Sequence, residues 1–157
     1  MIKYESLKRK FMKHKNLILA LVFLALANFV SAQVVKIPET AKRHFSEKYP
    51  KAQQVDWSNN VTNETVSFTE DGKSYKAYFN LDGDWTRTET VISELPGAVK
   101  DGFSKSKFGD WPVKDLAKLD MPKGVFYRVH VKKDIANDKY LLFDKSGKLT
   151  ADNATLD

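Results

Sequence analysis

Residues 78–86 read YFNLDGDWT, and residues 142–150 read LFDKSGKLT. Both follow one pattern: apolar, Phe, Asn or Asp, any residue, Asp or Ser, Gly, polar, apolar, Thr. Taken alone, Asn80, Asp82 and Asp84 carry oxygens at the alternate spacing of a calcium loop. The second copy argues against that use, because Asp82 is replaced by Ser146 and Asp84 by Lys148. Trp85 also stands where a calcium loop needs the glycine of its sharp turn. What both copies keep is a glycine, which supplies positive φ, among small polar residues that favour turns. The stretch reads as a hairpin turn used twice, with no metal site and no cofactor.

A second match lies upstream of each turn. IPETAKRHFS (37–46) aligns with LPGAVKDGFS (95–104). In both, large apolar residues fall four apart: Ile37, Ala41, Phe45 and Leu95, Val99, Phe103. That spacing predicts a helix with one buried stripe, and proline suits its first turn, where a missing N–H costs nothing. Between these landmarks the period is two. Thr65–Thr69 alternates, Glu70-Asp71-Gly72 turns, and Tyr75, Ala77, Phe79 and Leu81 form an apolar row opposite Lys76, Tyr78 and Asn80. Trp85–Ile92 reads as a further strand. In the second half, 124–134 places Val125, Tyr127, Val129 and Val131 on one face, with Phe126, Arg128, His130 and Lys132 on the other. Residues 137–139 turn into Tyr140–Phe143, and short strands also fit Gln53–Ser58 and Val113–Leu119. The predicted fold class is α+β: a tandem repeat (37–92 and 95–150) of a helix plus an antiparallel meander. The helices would pack on one face of one continuous sheet or of two abutting sheets.

The first 32 residues read as a signal peptide. A lysine-rich start precedes LILALVFLALANFV (17–30), and Val30-Ser31-Ala32 predicts cleavage between Ala32 and Gln33. Met12 offers an alternative start with the same mature end. The apolar run is shorter than the roughly 20 residues of a spanning helix, so no stable membrane anchor is expected after cleavage. The leader holds six of the 26 basic and one of the 20 acidic residues, leaving 20 against 19, or +1. Nucleic-acid binding needs a basic stripe that survives processing, so that class is set aside. Residues 33–157 have the size of a single domain. The chain has no cysteine, which removes thiol catalysis and thiolate metal sites.

The helix IPETAKRHFSEKYPKAQQVDW (37–57), the strand-turn-strand unit YKAYFNLDGDW (75–85) and the leader resemble the PepSY-like family of exported bacterial proteins, also described as beta-lactamase-inhibitor-like. The resemblance covers about residues 33–150. It implies a helix paired twice with a meander sheet, and an inhibitor-like binding role with no functional residue to carry over.

No catalytic signature is present, His44 reads as an ordinary helix residue, and the chain is not expected to be an enzyme. The candidate binding residues are Lys76, Tyr78, Phe126, Arg128 and His130, an aromatic and cationic set on the polar sheet face. Tyrosine and arginine are large, rigid groups that dominate binding hot spots. The expected partner is an envelope protein or peptide, in the periplasm or outside the cell. The alternative is an envelope carrier or sensor of small ligands or ions, and a hydrolase resting on His130 is the least favoured reading.

Overall fold

A computed structural model describes residues 36–153. The predicted leader, its cleavage point and the alternative start at Met12 lie outside them. Helix α1 (Glu39–Lys48) leads into strands β1 (Gln53–Asn59), β2 (Glu64–Glu70), β3 (Lys73–Phe79) and β4 (Trp85–Val91). Helix α2 (Gly97–Ser104) leads into β5 (Val113–Met121), β6 (Gly124–Lys132), β7 (Asp138–Asp144) and β8 (Leu149–Asp152). The strands pair antiparallel in sequence order, forming one eight-stranded sheet. Of the two arrangements the sequence allowed, the continuous sheet is the one observed.

Both helices cover the same face. Directly paired residues share a face, and Val66 pairs with Ala77, Ala77 with Thr88, Thr88 with Asp120 and Asp120 with Val125. Along β2 and β3 this face carries Val66, Phe68, Ala77 and Phe79, packed with Ile37, Ala41 and Phe45 of the α1 segment. Along β6 and β7 it carries Val129, Val131, Leu141 and Phe143, packed with Val99, Phe103 and Phe108. The predicted helix stripes are therefore the buried ones. Phe45 meets Phe68 edge-on at 5.1 Å and Trp57 at 5.4 Å between ring centroids, the geometry that aromatic quadrupoles favour.

The helices begin two residues later than the repeat suggests, because Pro38 and Pro96 occupy extended N-cap positions rather than the first turn. Pro50 follows Tyr49 and ends α1, since the residue before proline avoids helical geometry. Leu81 departs from the expected apolar row. It sits in the β3–β4 turn and is 57% exposed. Strand β8 completes the sheet after the second hairpin turn.

The two recurring turns have the same hydrogen-bond pattern. Asp84 N–H donates to the Asn80 side-chain oxygen at 2.8 Å, and Gly83 N–H to the Asn80 carbonyl at 2.9 Å. Correspondingly, Lys148 N–H donates to the Asp144 carboxylate at 3.1 Å, and Gly147 N–H to the Asp144 carbonyl at 3.0 Å. The Asn or Asp of the pattern thus closes a turn. The Ser146 hydroxyl, followed by backbone amides, holds the Asp144 carboxyl below the ordinary aspartate range.

The glycines at these turns set how closely helix and sheet approach. Gly83 has φ +89°, and a Cβ there would lie 2.6 Å from the Ala41 backbone nitrogen of α1. Gly147 has φ +85°, and its Cβ would collide with the Ala98 carbonyl of α2. His44 adds a strut by donating from Nδ1 to the Gly83 carbonyl at 2.8 Å. Gly72, by contrast, has φ +74° with open space around it. Gly83→Ala and Gly147→Ala should therefore each cost about 3 kcal/mol, from strain plus displaced helix, and Gly72→Ala only about 1 kcal/mol. Urea unfolding of the three variants checks this, and equal losses in all three would refute the seating of the turns on the helices.

Candidate binding face

The five residues singled out from the sequence all lie on the face turned away from the helices. One cross-strand row runs Ser67, Lys76, Glu89, Leu119, Phe126 and Asp144; beside it, Tyr78 pairs with Arg87, and Arg128 with Ala117 and Leu142. Lys76 and Tyr78 stand on β3, and Phe126, Arg128 and His130 on β6. With β4 and β5 between them, the two groups are separated by about 14 Å, three strand spacings.

Residues of the intervening strands join the groups. The Arg87 guanidinium lies 3.5 Å from the centroid of the Tyr78 ring, and its Nε donates to Glu89 at 2.9 Å. The other oxygen of Glu89 accepts from Arg128 Nη1 at 2.9 Å. Arg128 Nη2 reaches Asp115 at 3.4 Å, and Asp115 also meets His130 Nδ1 at 2.6 Å. His130 Nε2 lies 2.7 Å from Asp138, which accepts from Lys132 as well. The His130 ring stacks on Tyr140 with centroids 4.3 Å apart. A single polar chain therefore runs Tyr78–Arg87–Glu89–Arg128–Asp115–His130–Asp138–Lys132 from β3 to β7.

Burial decides the strength of each link. The Arg87 and Glu89 side chains are 8% and 11% exposed, and Arg128 19%. Charges so desolvated attract strongly, and their burial is tolerated because partners and hydrogen bonds offset the desolvation. Asp138 and Lys132 are more exposed and more screened. Hydrogen bonds from Lys132 and then His130 hold the Asp138 carboxyl below its ordinary value, and the Asp138 contact raises the Lys132 amine. Burial pushes the Tyr78 hydroxyl upward, so the ring that receives Arg87 stays neutral.

The face is thus charge-balanced where the sequence suggested a cationic patch. Arg128 and His130 are held by carboxylates, whereas Lys76 is exposed and forms no ion pair among the described residues. Arg87, Glu89, Asp115, Asp138 and Lys132 complete the chain, Tyr140 stacks against it, and none of these was among the candidates from the sequence. Arg87 and Glu89 sit at alternate positions of a strand, a pattern that admits them to one face. Only the pairing register puts Asp115 and Asp138 beside His130.

Across residues 62–151 the sequence matches the family model described as "Putative beta-lactamase-inhibitor-like, PepSY-like". The chain belongs to that family. Its fold is shared with solved structures from several Bacteroides species. A BLIP-like protein from Bacteroides fragilis NCTC 9343 is 22% identical with a TM-score of 0.66, over 77% of this chain and 88% of that one. A DUF2874 family protein from Bacteroides ovatus ATCC 8483 is 24% identical with a TM-score of 0.64, over 74% and 86%. A protein from Bacteroides eggerthii DSM 20697, described among "putative periplasmic proteins", is 22% identical with a TM-score of 0.61, over 74% and 88%. At these identities the likeness speaks to fold. Comparison with curated proteins gives no match. Among the described residues of this PepSY-like chain, no helix is long and apolar enough to cross a membrane.

Glu89 is the carboxylate shared by two guanidiniums, so Glu89→Ala leaves both without it in a desolvated place. A loss of about 3 kcal/mol is expected. Lys118→Ala, which removes one side of the more exposed Lys118–Asp120 pair, should cost less than about 1 kcal/mol. Chemical denaturation of both variants distinguishes them; a Glu89→Ala loss no larger than that of Lys118→Ala would contradict the assignment.

Proposed function

We propose that this protein is an exported, non-catalytic binding module that holds a protein or peptide on the sheet face opposite its helices. The observation that carries this reading is the polar chain across β3–β7. It fixes large aromatic and charged side chains in one arrangement before any partner arrives, and preorganisation lowers the entropic cost of association. Tyr78, Phe126 and Tyr140 border that chain and supply apolar contact area, with Lys76 and Arg128 for directed polar contacts.

The same geometry argues against catalysis there. Both ring nitrogens of His130 face carboxylates, so the imidazole has no free nitrogen for a substrate. The predicted leader and the description of the Bacteroides eggerthii relative support placement in the periplasm, with cleavage between Ala32 and Gln33. The element order and the two glycine turns seated on the two helices support descent of 37–92 and 95–150 from one duplicated unit.

Site-specific photo-crosslinking in the envelope of the native host tests the binding face. Benzoylphenylalanine placed at Phe126 or Tyr140 should give an adduct of one defined mass. The same probe at Lys42 of α1 or Lys100 of α2 should not. Adducts arising only from the helix positions would refute the assignment.

A further inference from the structure

The pairing of β3 with β4 stops short. Its register ends at Lys76↔Glu89, although β3 begins at Lys73 and β4 continues to Val91. Beyond that point β3 remains with β2 through Ser74↔Thr69 and Lys73↔Glu70. Strand β4 remains with β5 through Val91↔Ala117, and Ile92 N–H donates to the Leu116 carbonyl at 3.1 Å. The two strands therefore part into a fork inside the sheet. Backbone groups alternate sides along an antiparallel strand. Since Ile92 N–H points to β5, the N–H and C=O of Val91 point into the fork. By the same alternation from the Lys76↔Glu89 pair, those of Ser74 face them from β3.

Open clefts of about 390 and 530 Å³ flank the fork, and Ser74 and Val91 line both. Val91 is 81% exposed, an unusual place for an apolar strand residue. Two glutamates and two lysines line the clefts, and only the glutamates have ion-pair partners among the described residues. Glu89 is engaged by Arg87 and Arg128, and Glu94 by Lys100. Lys73 and Lys76 line the clefts with no carboxylate in ion-pair contact among the described residues, although Glu70 stands opposite Lys73 in register. The fork thus combines unpaired strand edges, an apolar contact and unneutralised cations.

We infer that this fork takes an extended acidic peptide segment of the partner, laid as an added strand against Ser74 and Val91 with carboxylates toward Lys73 and Lys76. Strand addition uses main-chain hydrogen bonds for affinity and alternate side chains for selectivity. The inference rests on the reading that the open face holds a protein or peptide, and it names the place and the chemistry.

The test follows amide shifts of the 15N-labelled protein during titration with a blocked Glu-Glu-Val-Glu-Glu pentapeptide, whose adjacent glutamates face both sides of the added strand, as Lys73 and Lys76 do. Two comparators are used: a lysine-for-glutamate version, and a version with methylated backbone nitrogens. Shifts should concentrate at Ser74, Lys76, Val91 and their neighbours. The acidic peptide should bind about tenfold or more tightly than either comparator. The Lys73→Glu/Lys76→Glu variant, with wild-type thermal stability as its folding control, should lose that preference. Equal binding of either comparator overturns the inference, as does the absence of shifts. Shifts centred on Phe126, His130 and Tyr140 overturn the fork while leaving the open face as the binding surface. The crosslinking at Phe126 and Tyr140 judges that broader reading separately.

Discussion

Glu89 accepts from Arg87 on its own strand and from Arg128 two strands away, and in doing so ties the first four strands to the last four. This tie reinforces the β4–β5 backbone ladder that joins the two halves. The two apolar cores lie under separate helices, around Phe45 and around Phe103. Between them, on the helix side, β4 and β5 carry Thr88, Thr90, Lys118 and Asp120, which offer little apolar area. Thr88 is held there by the Tyr49 hydroxyl and by Trp85 Nε1 at 2.9 Å. On the opposite side, Leu119 and Ala117 are buried beneath the Glu89–Arg128 bridge.

This arrangement divides the work between the two faces. The helix face supplies the hydrophobic stabilisation, and its closeness depends on glycine at 83 and 147. The other face is held by paired charges, which contribute less net stability than an apolar layer of equal volume but define one geometry. A surface kept in register by ion pairs leaves its aromatic rims available, the combination on which the proposed binding role draws.

The fold was legible because its periodicities are local. Ile37, Ala41 and Phe45 declare a helix face, and Val125, Tyr127, Val129 and Val131 declare a strand face, without knowledge of any neighbour. Leu81 misled because the apolar alternation runs past the true strand end into the turn. The face of Lys76, Tyr78, Phe126, Arg128 and His130 was legible for the same local reason. Its charge balance was not. Asp115 lies 15 residues from His130 in sequence, and only the β5–β6 pairing register, which sets Asp115 opposite His130, brings them together. The fork between β3 and β4 is likewise a property of pairing, not of either strand alone.

Amide hydrogen exchange across β4 and β5 tests most directly whether the two halves behave as one sheet. If Glu89 and its partners bind the seam, the amides of Thr88, Thr90, Lys118 and Asp120 will exchange within about tenfold of those of Val129 and Leu141 beneath α2. Exchange at the seam about a hundredfold faster, with both helix-covered cores still protected, would show the halves opening independently and would contradict the account.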